Sequence, residues 1–258
     1  MAEPLRLDHL DFDTDAGLGA RARIGLVALA TDYTIEHELN RVFAHVPGVA
    51  LYVSRIGMDN EVTRETLAAM EGRLAASSDL ILPGADLDAV LFGCSSATAI
   101  LGADRVAVQV HKVKPGVAVS QPISAASAAL RSIGARQISV LTPYTEAVNA
   151  EVAASLTGEG FEIAAFGSFD EPDDPTVASI SPEAIAVAAR QVVAAAPCEA
   201  LFISCTSLRA LDLVAPLEEE LGIVVTASNH ALAWHALCLA GLTPEIAGLG
   251  RLYASAPA

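Results

Sequence analysis

Short apolar runs alternate with stretches of helical spacing along nearly the whole chain. Arg23–Leu29 is the first run, and it stops at Ala30-Thr31-Asp32. From about Thr34 to Ala44, Ile35, Leu39, Val42 and Phe43 fall on one helix face. Val49–Ser54 reads as a second strand. A helix follows over about Val62–Ala76, with Leu67, Met70 and Leu74 at helical spacing. Val90–Phe92 is a short buried strand before Cys94. Ala97–Val113 reads as helix broken near Gly102, Lys114-Pro115-Gly116 as a turn, and Val117–Ser120 as a fourth strand. Pro122 opens a helix that runs through about Ile133 and closes at Gly134, the usual proline-first, glycine-last asymmetry.

The pattern then restarts. Arg136–Leu141 ends in Thr142-Pro143-Tyr144, much as the first strand ends in Ala30-Thr31-Asp32. A helix Tyr144–Leu156, a strand Phe161–Phe166 and a helix Pro182–Ala196 with Ser181 as its cap come next. Leu201–Ile203 runs into Ser204-Cys205-Thr206-Ser207, and a helix is expected directly after it to about Leu221. Ile223–Thr226 is the last strand and Asn229–Leu239 the last helix.

Strands alternating with helices predict parallel sheets and an α/β fold. The two cysteine turns lie 111 residues apart, and matching the first strands at Ile24 and Ile138 gives 114. The expectation is therefore two pseudo-symmetric Rossmann- or flavodoxin-like lobes with an active site in the cleft between them. The expected division is an acidic arm over 1–21, one lobe over 22–119 completed by 227–258, and a second over 120–226. In such sheets ligands bind beyond the carboxyl ends of the strands, where both Cys94 and Cys205 stand.

Composition narrows the function classes. The chain has 258 residues and a formal net charge of −16, with no basic stripe, which argues against nucleic acid and anionic membranes as partners. No apolar run approaches the ~20 residues of a membrane span, and the start of the chain lacks a signal-peptide pattern. A cytoplasmic protein is expected, possible as a homo-oligomer. The four cysteines show no CxxC spacing, so free thiols are expected rather than disulfides or a metal site. No P-loop or GxGxxG appears, and no cofactor is expected.

A lone cysteine at a strand end is more often filler than a reactive group. Two at equivalent points of a repeat, each followed by hydroxyl residues, point to chemistry. Backbone N–H groups after Cys94, at Ser95, Ser96 and Ala97, and after Cys205, at Thr206 and Ser207, are candidates to face a small carboxylate. Cys198 and Cys238 lack these features and read as structural. The histidines offer no better centre, and Trp234 and His235 read as packing residues.

At these residues the chain resembles the aspartate/glutamate racemase superfamily and, within it, the maleate cis–trans isomerase branch. The resemblance is carried by Ile24-Gly25-Leu26-Val27 with Thr34-Ile35-Glu36, Cys94-Ser95-Ser96, and Thr142-Pro143-Tyr144. Cys205-Thr206-Ser207-Leu208-Arg209 and the run Ser228–His235 complete it. The resemblance implies one cysteine from each lobe acting on the substrate without metal or organic cofactor. In it Cys94 is nucleophile or base, Cys205 the opposing acid/base, and Tyr144 a hydrogen-bond partner of a substrate carboxylate. Arylmalonate decarboxylases resemble this fold but carry a single active cysteine.

Two positions depart from the maleate isomerase pattern: Asp32 and Asp174 stand where asparagines are expected. Carboxylates there would repel a dianion and suit an ammonium group. Asp32 could instead simply cap the next helix. The Ala30-Thr31-Asp32 and Thr34-Ile35-Glu36 pieces also resemble ectoine-utilisation racemase-like proteins. The expected activity is thus racemisation of a small amino-acid-like or acidic carboxylate. Maleate cis–trans isomerisation is the rival, and a non-catalytic small-carboxylate binding protein is the reading from outside enzymology.

Overall fold

The structure, a computed structural model, describes residues 4–254. Residues 1–3 of the expected arm, and 255–258 at the end of the expected first lobe, lie outside the described residues. The described part of the arm contains no helix or strand before Ala22, and Leu5, Leu7, Leu10, Phe12 and Leu18 are exposed along it.

The elements in chain order are β1 (Ala22–Leu29), α1 (Ile35–Phe43), β2 (Val49–Ile56), α2 (Arg64–Ala68), α3 (Glu71–Asp79) and β3 (Ala89–Gly93). These are followed by α4 (Ser95–Leu101), α5 (Ala103–His111), β4 (Ala118–Ser120) and α6 (Pro122–Ser132). The second half comprises β5 (Gln137–Thr142), α7 (Glu146–Gly158), β6 (Glu162–Ser168), α8 (Asp174–Ser179) and α9 (Pro182–Ala195). It ends with β7 (Ala200–Ile203), α10 (Val214–Leu221), β8 (Val224–Ala227) and α11 (Ser228–Leu239).

The eight strands form two four-stranded parallel sheets, ordered β2-β1-β3-β4 and β6-β5-β7-β8. Adding four to each strand number converts one order into the other. The two-lobe α/β architecture expected from the restarting pattern is the observed one. β1, β3, β5 and β7 are interior strands with helices on both faces. β1, β3 and β7 therefore read as largely apolar runs rather than alternating ones, while β5 also buries Ser139 and Thr142.

Several local expectations need correction. The helix expected over Val62–Ala76 is two helices, α2 and α3, meeting at Ala69-Met70. α7 begins at Glu146, not Tyr144, which leaves the tyrosine in the loop after β5. α8 was not expected, although Asp173 caps it by accepting from Thr176 N–H at 3.0 Å and Pro175 stands in its first turn.

The largest difference follows Cys205. Residues 206–210 are irregular, Leu211–Leu213 is a short 3₁₀ turn, and only Val214–Leu221 is α-helix. Tertiary partners take the backbone groups that a helix would have used. Thr34 donates to Ser207 O at 2.8 Å, Asn229 donates to Thr206 O at 2.8 Å, and the Leu211 N–H donates to Glu38 Oε1 at 3.0 Å. The break at Gly102, by contrast, stands where expected: its φ of +82° is open to glycine and strained for other residues.

Candidate active site

Cys94 stands at the carboxyl end of β3 and Cys205 at that of β7. Both line one small, tight cavity together with Ser95, Ser96, Tyr144, Asp174, Thr206 and Ser207, with an open volume of about 10 Å³, room for about one water molecule. Of the site residues singled out in the sequence, Asp32 and Ala97 are not on this wall. Leu29, Met58 and Val62 supply its apolar side. Met58 and Val62 belong to the segment after β2, which reaches across to the other lobe. Val62 N–H donates to Pro172 O at 2.9 Å, and Asp174 N–H donates to Asn60 O at 3.1 Å. This strap covers the cavity, and both thiols are buried.

Cys94 is the N-cap of α4. Its sulfur accepts from Ala97 N–H at 3.3 Å and lies 3.5 Å from Ser96 Oγ. Those contacts favour the thiolate, but burial outweighs them and pushes the thiol up to about 12. Burial likewise raises Cys205, with Asp174 adding to the effect. The Tyr144 hydroxyl and the Ser207 N–H oppose it. Since Cys205 does not open a helix, its anion-stabilising donors are these two groups rather than a helix terminus. Tyr144 thus faces Cys205 here, and burial holds its own hydroxyl well above the usual range.

Asp174 is the carboxylate in the cavity wall. Thr31 donates to its Oδ2 at 2.5 Å and Ser207 donates to its Oδ1 at 2.9 Å. Asp32 holds the backbone just ahead of α1: its Oδ1 accepts from Thr34 N–H at 2.7 Å and from Ile35 N–H at 2.8 Å. Its Oδ2 is buried without a hydrogen-bond partner. Burial raises Asp32 above the ordinary carboxylate range, opposed by the Ile35 and Thr34 N–H groups and the Thr206 hydroxyl, with Asp174 pushing it further up. Neither acid makes an ion pair among the described residues.

The remaining hydroxyls fix the turns. Ser95 Oγ lies 2.9 Å from Ser228 Oγ, and Thr206 donates to Gly93 O at 3.3 Å, linking the two cysteine loops directly. The sequence reading missed Thr31, the strap residues Met58 and Val62, and Glu38. Glu38 was the most legible of these. It shares the buried face with Ile35, Leu39 and Val42, so a carboxylate stands at a core position. His230 is a satisfied core residue. Its Nε2 lies 2.7 Å from Leu249 O, its Nδ1 is 3.0 Å from Thr226 Oγ1, and burial lowers it to about 4.

Comparison with known proteins bears on the family and the fold. Residues 104–253, more than half of the chain, match the family described as arylmalonate decarboxylase. A maleate isomerase of Nocardia farcinica is 30% identical over 246 residues, covering 89% of this chain and 94% of the relative. The arylmalonate decarboxylase of Bordetella bronchiseptica is 29% identical over 126 residues, covering 48% of this chain and 52% of the relative. Among solved structures, a variant of the Nocardia farcinica maleate cis–trans isomerase with a covalently bound succinylcysteine intermediate superposes with a TM-score of 0.82. It is 28% identical, covering 90% of this chain and 98% of that one. With two four-stranded parallel lobes in common and similarity along nearly its whole length, the chain belongs to the arylmalonate decarboxylase and maleate isomerase family.

Proposed function

We propose that the protein is a two-thiol isomerase of a small carboxylate that also carries an ammonium group, acting as a racemase. The observation that carries this reading is Asp174, a buried carboxylate without a cationic partner in the wall shared by Cys94 and Cys205. A dianion placed there would meet a fixed negative charge in a poorly solvated cavity. An ammonium group would be attracted by it. It would also offset the field of Asp174 and Asp32, which adds to burial in keeping both thiols protonated.

In the proposed reaction one cysteine, having released its proton to water as the substrate binds, takes the α-proton. The electron pair left behind delocalises into the substrate carboxylate. The opposing thiol then gives its own proton to the other face of the α-carbon. One thiol and one thiolate remain at the end with roles exchanged, so each direction of racemisation prepares the other. The hydroxyls and N–H groups of the two cysteine turns stabilise the charge that develops on the carboxylate.

Maleate isomerisation is the second reading, favoured by the relatives named above. It would use Cys94 as a nucleophile adding to the double bond, so that the central bond rotates before the thiol leaves. Incubation with a panel of amino-acid substrates in D₂O, without added cofactor, tests the first reading. Deuterium should enter the α-position, and Cys94→Ser and Cys205→Ser should each lower turnover by orders of magnitude. Normal racemisation by both variants would end the two-thiol reading. Conversion of maleate to fumarate without α-exchange of any amino acid would select the second.

A further inference from the structure

Glu38 lies outside the cavity wall, yet it is 4% exposed and spans the two lobes. Its Oε1 accepts from the Leu211 N–H at 3.0 Å, and its Oε2 accepts from Asn229 Nδ2 at 2.8 Å. The same Asn229 nitrogen donates to Thr206 O at 2.8 Å, one residue beyond Cys205. We infer that Glu38 is a positioning residue for Cys205, holding the irregular 206–211 segment in place through Asn229 and Leu211.

The donor and acceptor pattern is restrictive. Both carboxylate oxygens face N–H donors, so only the ionised side chain satisfies both. A protonated Glu38 has an O–H aimed at a donor and loses one of the two bonds. A glutamine at this position meets the same conflict. Rotating the Asn229 amide to accept from that glutamine would turn its oxygen toward Thr206 O and break the second link. The irregular backbone after Cys205 makes the clamp necessary, because these groups have no helical partners.

The clamp also responds to pH. Burial raises Glu38 to about 7, opposed by the Leu211 N–H and Asn229, with Asp32 and Asp212 pushing in the same upward direction as burial. His37 and Arg41 of α1, together with Arg209 and Asp212, line a surface pocket of about 220 Å³ that Glu38 reaches from within. Arg41 is bonded to both Asp212 oxygens, at 2.8 and 2.6 Å. On β2, Arg55 points to Glu36 and to the Leu29 and Asp32 carbonyls, while α11 presents the uncharged Asn229.

This inference concerns the site of the proposed reaction, but its test needs no substrate, so failure to find racemisation would leave it standing. Alkylation by iodoacetamide is followed at each cysteine by mass spectrometry in the full chain. Glu38→Gln should speed alkylation of Cys205 by about tenfold, the worth of one lost hydrogen bond to a charged group, with Cys94 unchanged. Asn229→Ala should do the same, and the double variant should add little further. In the wild type, the ratio of the Cys205 rate to the Cys94 rate should rise as pH falls through 7. An unchanged Cys205 rate in Glu38→Gln, or an equal rise at Cys94, overturns the inference. If that variant does not fold, an unchanged Cys205 rate in Asn229→Ala overturns it instead.

Discussion

The Ser207 hydroxyl donates to Asp174 Oδ1 at 2.9 Å, joining the turn that carries Cys205 to the carboxylate in the cavity wall. Thr31 holds the other carboxylate oxygen from the first lobe. Asp174 is thus fixed by both halves of the molecule, and its charge acts on both sulfurs.

Removing that charge separates the two functional readings. Asp174→Asn keeps the size of the side chain, and its amide oxygen can still accept from Ser207 or Thr31. Both thiols should ionise at lower pH, since Asp174 raises each of them, and iodoacetamide should alkylate both faster at pH 8. Turnover of an amino-acid substrate should drop by about a hundredfold or more, the cost of stripping a buried charge of its partner. Competition by maleate should strengthen. A variant that racemises as well as wild type would remove Asp174 from substrate recognition.

Alkaline pH should destabilise the fold through Cys94. Its thiol is ordinarily at 9.0 and is pushed up to about 12 by burial. Below pH 9 the folded and unfolded chains both hold this proton. Between 9 and 12 only the folded chain does, so stability falls as pH rises across that window. Melting temperatures at pH 8 and pH 10.5 should therefore differ less in Cys94→Ser than in wild type. An identical difference would show that the thiol does not contribute.

Gly93 precedes Cys94 and leaves room for α1. A Cβ at this position would lie 2.6 Å from Ile35 Cδ1 and 3.4 Å from Leu26 Cδ1. Gly93→Ala should destabilise the protein by about 1–3 kcal/mol through overpacking. Because Ile35 begins α1 and its N–H is held by Asp32, the variant should also lose activity beyond its loss of stability. Urea unfolding and turnover, measured on the same preparation, check both outcomes.

The Arg41–Asp212 pair links the lobes at the surface with two parallel bonds. Its arginine and aspartate side chains are 44% and 71% exposed. Arg41→Ala should therefore cost no more than about 1 kcal/mol, and the loss should shrink in high salt. A larger, salt-independent loss in urea unfolding would show that the lobes depend on this contact.

The strands and their repeat were legible because interior parallel strands are apolar on both faces. Arg23–Leu29 and Leu201–Ile203 read as strands without any alternation. Gly102 announced its break, since its backbone angle suits glycine. The 206–213 segment could not be read. Its apolar spacing fits a helix, and what prevents one is a set of partners distant in sequence: Thr34, Glu38 and Asn229. The same holds for the strap, whose Val62 N–H meets Pro172 O in the other lobe, 110 residues on in sequence. At the site, the cysteine pair emerged from the repeat. Asp32, read alongside Asp174 as a substrate carboxylate, lies off the cavity wall with its Oδ1 on the Thr34 and Ile35 N–H groups.

α6 follows β4 and α11 follows β8, so they are equivalent members of the repeat, and they pack against each other. A chain of half this length would carry one such helix, with its inner face uncovered. Two copies meeting along that helix would cover both faces and bring two cysteine turns toward a single cleft. The present protein holds both halves in one polypeptide, so the two cysteine turns are always present in a one-to-one ratio. The halves are nevertheless not identical: Cys94 caps a helix, whereas irregular backbone follows Cys205.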